Sequence, residues 1–163
     1  MVRVDQAGEY GATRIYCGQL AVLGARHRAS RTISRMQAQE ERHLKSFDEM
    51  MIERGVRPTL LQPVWNVAGY ALGAATALMG PSAAMACTAA VETEIDRHYS
   101  EQLRALGKEE PDLAATIGRF RDEELEHRDT AIAAGAEDTF GYPLLSSLIR
   151  AGCRLAIQLS KRI

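Results

Sequence analysis

Apolar residues recur every three or four positions along most of the chain, the spacing that places them on one face of an α-helix. The pattern predicts four long helices, over about 5–26, from Ser30 or Ser34 to just before Gly55, over about 82–106 and over about 111–135. A further helix is predicted over about 144–159, opened by Pro143. No segment shows a convincing strand pattern, so the sequence predicts an all-α protein.

One stretch between the second and third of these helices differs from the rest. It reads PVWNVAGYALGAATALM over 63–79 and contains no charged residue. It falls short of the roughly 20 apolar residues that a bilayer-spanning helix needs. The segment 144–157 is similarly apolar but contains Arg150 and Arg154. Neither is predicted to span a membrane; each could lie in a membrane interface, in the core or in a subunit contact.

The length of 163 residues fits a single domain, 1–163. Within it, 1–55 and 82–135 are predicted as two helix pairs, 56–81 as the apolar connection between them, and 140–163 as a C-terminal amphipathic helix. Asp5 and Glu9 interrupt any apolar signal-peptide core, so none is predicted at the start. Whether a targeting segment upstream of this chain has been removed is a question that the sequence leaves open.

Charge and cysteine content exclude several functions. The net charge is −1 and there is no basic arm, so nucleic-acid binding is not expected. Cys17, Cys87 and Cys153 lie far apart, and no two have Cys-x-x-Cys spacing. They are therefore predicted to be small buried residues and not parts of a zinc site or a disulfide framework.

A set of polar residues repeats between the two helix pairs. Each pair has a glutamate in its first helix and a Glu-x-x-His motif in its second, at separations of 31 and 32 residues. The six residues are Glu9, Glu40, His43, Glu92, Glu124 and His127. Because residues three apart share one helix face, each motif can project both side chains inward.

Four carboxylates and two imidazoles are the set that ferritin-like di-iron and di-manganese bundles place in their interior. Four negative charges neutralise two divalent ions, whereas the same groups buried without metal would repel each other and cost several kcal/mol each in desolvation. A single Glu-x-x-His is more typical of a solvated helix face. The matched repeat, with Glu92 among small apolar residues, favours a two-metal centre in a four-helix bundle.

Other polar residues have weaker patterns. His98 and Tyr99 follow Glu92 by about two turns, and His98 could reach the same interior. Asp122 and Asp129 flank the second motif and could orient a ligand imidazole, although surface solvation explains them equally well. Three further residues are predicted to be ordinary helix or surface positions: Tyr10, Tyr16 and His27.

The chain resembles the demethoxyubiquinone hydroxylases of ubiquinone biosynthesis. The matching stretches cover essentially the whole chain: VDQAGEYGA, QEERHL, RPTLLQPVWNVAGYALGA, AMACTAAVETEIDRHY, FRDEELEH and AGCRLAIQLS. The resemblance implies that the six residues found from spacing are iron ligands. It also implicates His98 and Tyr99 as active-site neighbours involved in reduction of the iron.

The same resemblance implies a reaction. A di-iron monooxygenase would use O₂ to hydroxylate a 2-polyprenyl-3-methyl-6-methoxy-1,4-benzoquinol, in the penultimate step of ubiquinone formation. Electrons would come ultimately from NADH, delivered from outside, because no Gly-x-Gly-x-x-Gly follows a strand. A lipid-binding accessory protein assists mitochondrial members of the family, so such a partner is expected, and a homo-oligomer stays open.

A polyprenyl tail lies in the bilayer, so the resemblance favours a peripheral membrane protein. The expected location is the cytoplasmic face of a bacterial inner membrane or the matrix face of the mitochondrial inner membrane. Trp65 and Tyr70 are expected at headgroup level. Apolar side chains expected in contact with lipid are Val67, Leu72, Leu78, Met79, Leu144, Leu145, Leu148, Ile149, Leu155 and Ile157. Basic residues available to lipid phosphates are Arg150, Arg154, Lys161 and Arg162.

Three alternatives remain at this point. A bacterioferritin-like ferroxidase or iron-storage protein has the same six-ligand pattern but gives no role to the uncharged segment 63–79. A rubrerythrin-like peroxidase would normally add a Cys-x-x-Cys module, which the sequence lacks. A lipid-binding or scaffold protein would fit if the site no longer took up metal.

Overall fold

A computed structural model describes residues 1–162, which form six α-helices joined by short connections. The helices are α1 (Val2–Leu23), α2 (Arg28–Glu53), α3 (Gln62–Leu78), α4 (Pro81–Leu106), α5 (Pro111–Ala133) and α6 (Tyr142–Arg162), with a short 3₁₀ turn over Ala136–Asp138 before α6. The uncharged stretch forms α3. The all-α prediction is confirmed, since residues 1–162 contain no strand.

Two predicted helix starts are wrong. α1 begins at Val2 and not at Asp5, whose buried side chain bonds across the bundle to His98 and Gln102 and caps no helix. α2 begins at Arg28, before either predicted serine, because Nδ1 of His27 accepts a hydrogen bond from the Ala29 amide at 3.2 Å. His27, predicted as an ordinary surface residue, is therefore a helix cap.

The antiparallel pairs α1–α2 and α4–α5 form a four-helix bundle, which confirms the predicted ferritin-like architecture. Along α2, Met36 belongs to an apolar cluster at one end of the bundle and Phe47 to a second cluster at the other end. Glu40 and His43 lie between them. On each of the other three helices, the buried glutamate or Glu-x-x-His motif likewise lies between residues of the two apolar clusters. Two apolar layers therefore enclose a buried polar layer.

α3 lies outside this bundle, against α1. The two backbones approach so closely that a Cβ on Gly73 would overlap the Ile15 carbonyl, and one on Gly18 would overlap the Tyr70 carbonyl. A Cβ on Gly69 would lie 2.9 Å from the carbonyl oxygen of Gly11. The small residues that interrupt the apolar stretch therefore serve close helix packing.

α6 also lies outside the bundle and packs against α4. The Glu94 carboxylate is fully buried, and its Oε1 accepts hydrogen bonds from Arg150 and Arg154, each at 2.7 Å. Burial raises the pKa of Glu94, but the bonds from Arg150 and Arg97 outweigh burial and hold that pKa below its usual range. Arg150 and Arg154, two of the basic residues expected to be available to lipid phosphates, thus join α6 to α4.

Candidate metal centre

The six residues of the repeat meet in the middle of the bundle, and all six are buried. Glu9 comes from α1, Glu92 from α4, and each Glu-x-x-His motif from α2 or α5. Phe120 stacks on the ring of His43 with 4.0 Å between ring centroids. The structure therefore brings together every residue that the spacing selected.

The side-chain donor atoms form two overlapping groups of four residues. Within each group, one atom from every residue lies within 4.8 Å of the others. Glu40 and Glu124 are common to both groups. The first group is completed by Glu9 and His43, the second by Glu92 and His127.

These buried charged groups perturb one another strongly. Burial, reinforced by the neighbouring Glu124, raises the pKa of Glu40 well above its ordinary value, and the same two causes raise the pKa of Glu92. Burial also raises the pKa of Glu124, but bonds from His127 and His43 outweigh it and bring that pKa down to about 2. Burial lowers the pKa of His43, but its bonds to Glu124 and Glu9 outweigh it and raise that pKa to about 10.

The donor set fits a pair of divalent ions. Oε1 of the buried Glu40 lies 3.0 Å from Nδ1 of His127, yet it accepts no hydrogen bond from residues 1–162. A buried carboxylate oxygen without a hydrogen bond is costly in a protein interior, and a cation removes that cost. Carboxylate and imidazole ligands suit iron or manganese, and no thiolate belongs to either group.

Two tyrosines bond to the glutamates of the centre. The Tyr16 hydroxyl donates to Oε1 of Glu92 at 3.0 Å, and the Tyr99 hydroxyl donates to Oε1 of Glu9. Both tyrosines are almost fully buried. Tyr99 was a predicted neighbour of the site, but the prediction for Tyr16 as an ordinary helix aromatic is wrong. The available signal was its spacing of seven residues from Glu9, which Tyr99 repeats from Glu92.

The outer nitrogens of the two histidines also have protein partners. Nε2 of His43 lies 3.0 Å from Oε2 of Glu123, and Nε2 of His127 lies 3.1 Å from Oε1 of Gln39. Sequence reasoning missed both partners, although each directly precedes a ligand glutamate. The residues proposed for this role have other environments: Asp122 is exposed, and Asp129, also exposed, pairs with Arg128.

His98 lies outside the two donor groups. It is buried, and its Nε2 lies 3.1 Å from Oδ1 of Asp5 and 2.8 Å from Nε2 of Gln102. The Asp5 Oδ2 atom has no hydrogen-bond partner in the described part of the chain. His98 therefore belongs to a separate buried polar cluster, one residue along α4 from the tyrosine that bonds Glu9.

An apolar cavity of about 450 Å³ is lined by residues of α1, α3, α4 and α6. Its walls include Gly8 and Val91, the residues directly before Glu9 and Glu92. Gly11 and Gly152 also line it, and a Cβ added at either would meet no atom within 4 Å. The lining is almost entirely apolar, and Cys153 and Ser160 are among its few polar residues.

The outer faces of α3 and α6 expose apolar side chains. The most exposed apolar side chains of α3, of α6 and of Met79, which directly follows α3, are those of Val64, Val67, Leu78, Met79, Leu144, Leu148 and Leu155. Four residues expected in contact with lipid are instead half-buried or buried: Leu72, Leu145, Ile149 and Ile157. Trp65 is half-buried too, and its indole N–H donates to Ser160 Oγ at 3.1 Å. No helix within residues 1–162 is both long and apolar enough to cross a membrane.

Four carboxylates and two imidazoles buried inside a four-helix bundle define a ferritin-like protein with a candidate two-metal centre. Comparison with known families narrows this class. The family model described as "Ubiquinone biosynthesis protein COQ7" matches residues 1–160, and the chain belongs to this family. The predicted resemblance is confirmed.

Curated relatives agree over nearly the whole chain. A Rhodospirillum rubrum protein named 3-demethoxyubiquinol 3-hydroxylase is 56% identical over 99% of this chain and 76% of its own length. A human protein named NADPH-dependent 3-demethoxyubiquinone 3-hydroxylase, mitochondrial, is 53% identical over 100% of this chain and 76% of its own. A Saccharomyces cerevisiae protein named 5-demethoxyubiquinone hydroxylase, mitochondrial, is 42% identical over 100% and 77%.

Proposed function

We propose that this chain is a di-iron monooxygenase that hydroxylates the ring of a demethoxyubiquinol in ubiquinone biosynthesis. The observation that supports this most directly is the position of the apolar cavity. Gly8 and Val91 line it, while their chain neighbours Glu9 and Glu92 belong to the polar centre. An apolar substrate and a metal pair would therefore contact neighbouring faces of the same two helices.

The ligand assignment follows the two donor groups. Glu9 and His43 would hold one ion, Glu92 and His127 would hold the other, and Glu40 and Glu124 would contact both. When bound, two iron ions supply the redox chemistry that activates O₂. The net reaction inserts one oxygen atom of O₂ into a ring C–H bond and reduces the other to water, consuming two electrons and two protons.

The protein's own contribution is to position the substrate and exclude water. A volume of about 450 Å³ lies within the usual range of small-molecule sites, about 300–1,000 Å³. We propose that it holds the quinol ring and the first part of the polyprenyl tail. The apolar layers on both sides of the centre keep bulk water from the carboxylates, which strengthens their electrostatic interactions.

The rest of the tail would remain in a membrane. The exposed apolar side chains of α3 and α6 flank the cavity, so the two helices would lie in the interface with the cavity mouth towards lipid. We propose peripheral association, on the cytoplasmic face of a bacterial inner membrane or the matrix face of a mitochondrial one. The accessory protein stays a prediction, and the question of a homo-oligomer stays open.

The reductant is proposed as a reduced nicotinamide nucleotide. NADH is the sequence-based expectation, whereas the human relative has a name that specifies NADPH. Anaerobic reduction of the ferric protein by each nucleotide, with and without the quinol, would separate the two.

The experiment that tests the function supplies iron-loaded protein with a demethoxyubiquinol analogue, isotope-labelled O₂ and reductant. We expect a product that contains one oxygen atom from O₂, detected by mass spectrometry. Glu92→Ala and His127→Ala should abolish turnover while helical content stays near that of the parent chain. Asp129→Asn, which changes an exposed carboxylate on the same helix as His127, should retain activity. Absence of labelled product from the fully loaded protein would refute the proposal.

The bacterioferritin-like ferroxidase is the alternative function. It would use the same six ligands but gives no role to the apolar cavity or to the exposed faces of α3 and α6. A soluble 24-subunit shell that accumulates ferric iron without hydroxylating the quinol would favour it.

A further inference from the structure

The side chains that touch the centre are related by an approximate two-fold repeat. Glu9 and Tyr16 are seven residues apart on α1, and Glu92 and Tyr99 are seven residues apart on α4. Each tyrosine donates its hydroxyl to the glutamate of the other helix. The two halves are thus equivalent in their glutamates and in the bonds that support them.

The histidines follow the same repeat. Nδ1 of His43 lies 3.0 Å from Oε1 of Glu124, and Nδ1 of His127 lies 3.1 Å from Oε2 of the same carboxylate. Both Nδ1 atoms therefore face the centre, and both Nε2 atoms face away from it. A metal ion on Nδ1 requires the ring proton on Nε2, so each Nε2–H then needs an acceptor outside the centre.

The repeat is broken at these acceptors. The residue directly before the ligand glutamate is Gln39 in α2 and Glu123 in α5. His127 consequently faces the amide oxygen of Gln39, whereas His43 faces the carboxylate of Glu123. Among the ligands and the side chains bonded to them in residues 1–162, this is the one difference in chemical type between the halves.

One further hydrogen bond joins the two acceptors and fixes the orientation of the amide. Nε2 of Gln39 donates to Oε2 of Glu123 at 3.2 Å, so a continuous chain runs from His127 through Gln39 and Glu123 to His43. Reversing the amide would point its N–H groups at the Nε2–H of His127 and its oxygen at a carboxylate. Only the observed orientation satisfies both ends when the two histidines coordinate through Nδ1.

We infer that Gln39 and Glu123 are positioning residues that make the two metal positions unequal. A carboxylate acceptor strengthens a ligand imidazole as an electron donor more than a neutral amide does. The position formed by Glu9 and His43 therefore binds a divalent ion more tightly than the position formed by Glu92 and His127. This inference rests on the metal centre of the proposed function and does not depend on the substrate or the reaction.

The test is anaerobic titration of the metal-free full chain with Co(II), followed by calorimetry and visible absorption, and repeated with Fe(II). We expect two resolved binding steps of one ion each. His43→Ala should remove the tighter step and His127→Ala the weaker one, which assigns the steps to positions. Two steps of equal affinity in the parent chain would overturn the inference.

Glu123→Gln is the decisive variant, because it gives both histidines a neutral acceptor while preserving side-chain shape. We expect the tighter step to weaken by roughly 10- to 100-fold, towards the affinity of the other step, with a changed Co(II) spectrum for that ion only. Glu126→Gln removes the same charge from an exposed position three residues along α5 and is the matched control.

Thermal unfolding of the metal-free variants separates positioning from a purely structural role. Glu123→Gln should unfold close to the parent chain while its tighter step is weakened. The assignment of Glu123 to the tighter position would be contradicted if Glu123→Gln weakened both binding steps equally. It would also be contradicted if the titration of Glu123→Gln matched that of Glu126→Gln. Because no quinol or O₂ is present, failure of the proposed hydroxylation would not alter these results.

Discussion

Tyr16 on α1 donates a hydrogen bond to Glu92 on α4 at 3.0 Å, with both residues buried. Burial is the main cause of the raised Tyr16 pKa, followed by the charge of Glu92, so the phenol keeps its proton and acts as a donor. The bond connects the two helix pairs through the candidate metal centre. It restrains the orientation of the Glu92 carboxylate.

Removal of that hydroxyl should cost stability. We expect Tyr16→Phe to lower the free energy of unfolding of the metal-free chain by about 1 kcal/mol, because Glu92 loses a buried hydrogen bond. Chemical denaturation followed by circular dichroism would measure the loss. Tyr10→Phe removes a hydroxyl with no side-chain partner in the described residues and should change stability much less. Equal effects of the two variants would show that the bond contributes little.

The sequence was sufficient to predict the bundle and the meeting of the six candidate ligands, because both depend on spacing along a helix. A Glu-x-x-His motif fixes its own geometry, and the matched separations of 31 and 32 residues indicated that two such motifs meet. Partners across the bundle were harder to predict. The contacts of the centre with Tyr16, Gln39 and Glu123 depend on how the helices are rotated relative to one another. The periodicity of a single helix does not specify this rotation.

The same limit explains the outer helices. Composition indicated that the segments forming α3 and α6 are apolar. It did not indicate which of their residues face the bundle. Gly18 and Gly73 determine how α3 packs on α1, and Glu94 determines how α6 packs on α4. These contacts bury Ile149 and leave Leu148 exposed, although the two are adjacent in the chain.

Close packing of α3 on α1 can be tested with one methyl group. Gly73→Ala should destabilise the fold by at least about 1–3 kcal/mol, because the new Cβ would overlap the Ile15 carbonyl and backbones cannot move apart cheaply. Gly152→Ala on α6 is the matched control. Its Cβ meets nothing within 4 Å, so the change should stabilise the chain by about 0.4–1 kcal/mol. Destabilisation by Gly152→Ala would show that a Cβ at this position is not free of contacts.

Membrane contact through α3 and α6 predicts a directional effect of charge. Val67→Asp and Leu148→Asp should each weaken binding to liposomes by about tenfold or more, since each loses an apolar contact of about 1.5–3 kcal/mol. Co-sedimentation with vesicles would measure the change. Ile52→Asp alters a side chain that is 81% exposed on α2, not on α3 or α6, and should bind like the parent chain. Equal binding by all three variants would contradict the proposed face.

Two cysteines should be unusually unreactive. Burial is the main cause that raises the pKa of Cys87 and of Cys153 to about 12, from an ordinary value of 9.0. This pKa difference lowers their thiolate fraction near neutral pH about a thousandfold relative to a free thiol. Because the thiolate is the nucleophile, their reaction with thiol reagents should be slower by a similar factor.

The same pKa shift determines how the stability of the fold changes with pH. Below pH 9 the thiols are protonated in both states and contribute no pH dependence; between about pH 9 and 12 the unfolded chain ionises first, so the folded chain loses stability. Single-cysteine variants labelled with a disulfide reagent should react about tenfold faster per pH unit, without a plateau near pH 9. A plateau there would show an ordinary thiol, and labelling in denaturant gives the reference rate.

Metal loading should stabilise the fold only when the ligand set is complete. A metal ion that binds the folded chain alone, at a free concentration one hundred times its dissociation constant, adds about 2.7 kcal/mol per site. We expect Fe(II) or Co(II) to raise the unfolding temperature of the parent chain under anaerobic conditions, and a chelator to reverse the increase.

Glu92→Gln should lose much of that metal-dependent gain in unfolding temperature. Its metal-free form should be no less stable than the parent, because the change removes a carboxylate whose pKa burial already raises. Asp129→Asn should respond to metal as the parent does, and an equal gain in Glu92→Gln would remove Glu92 from the ligand set.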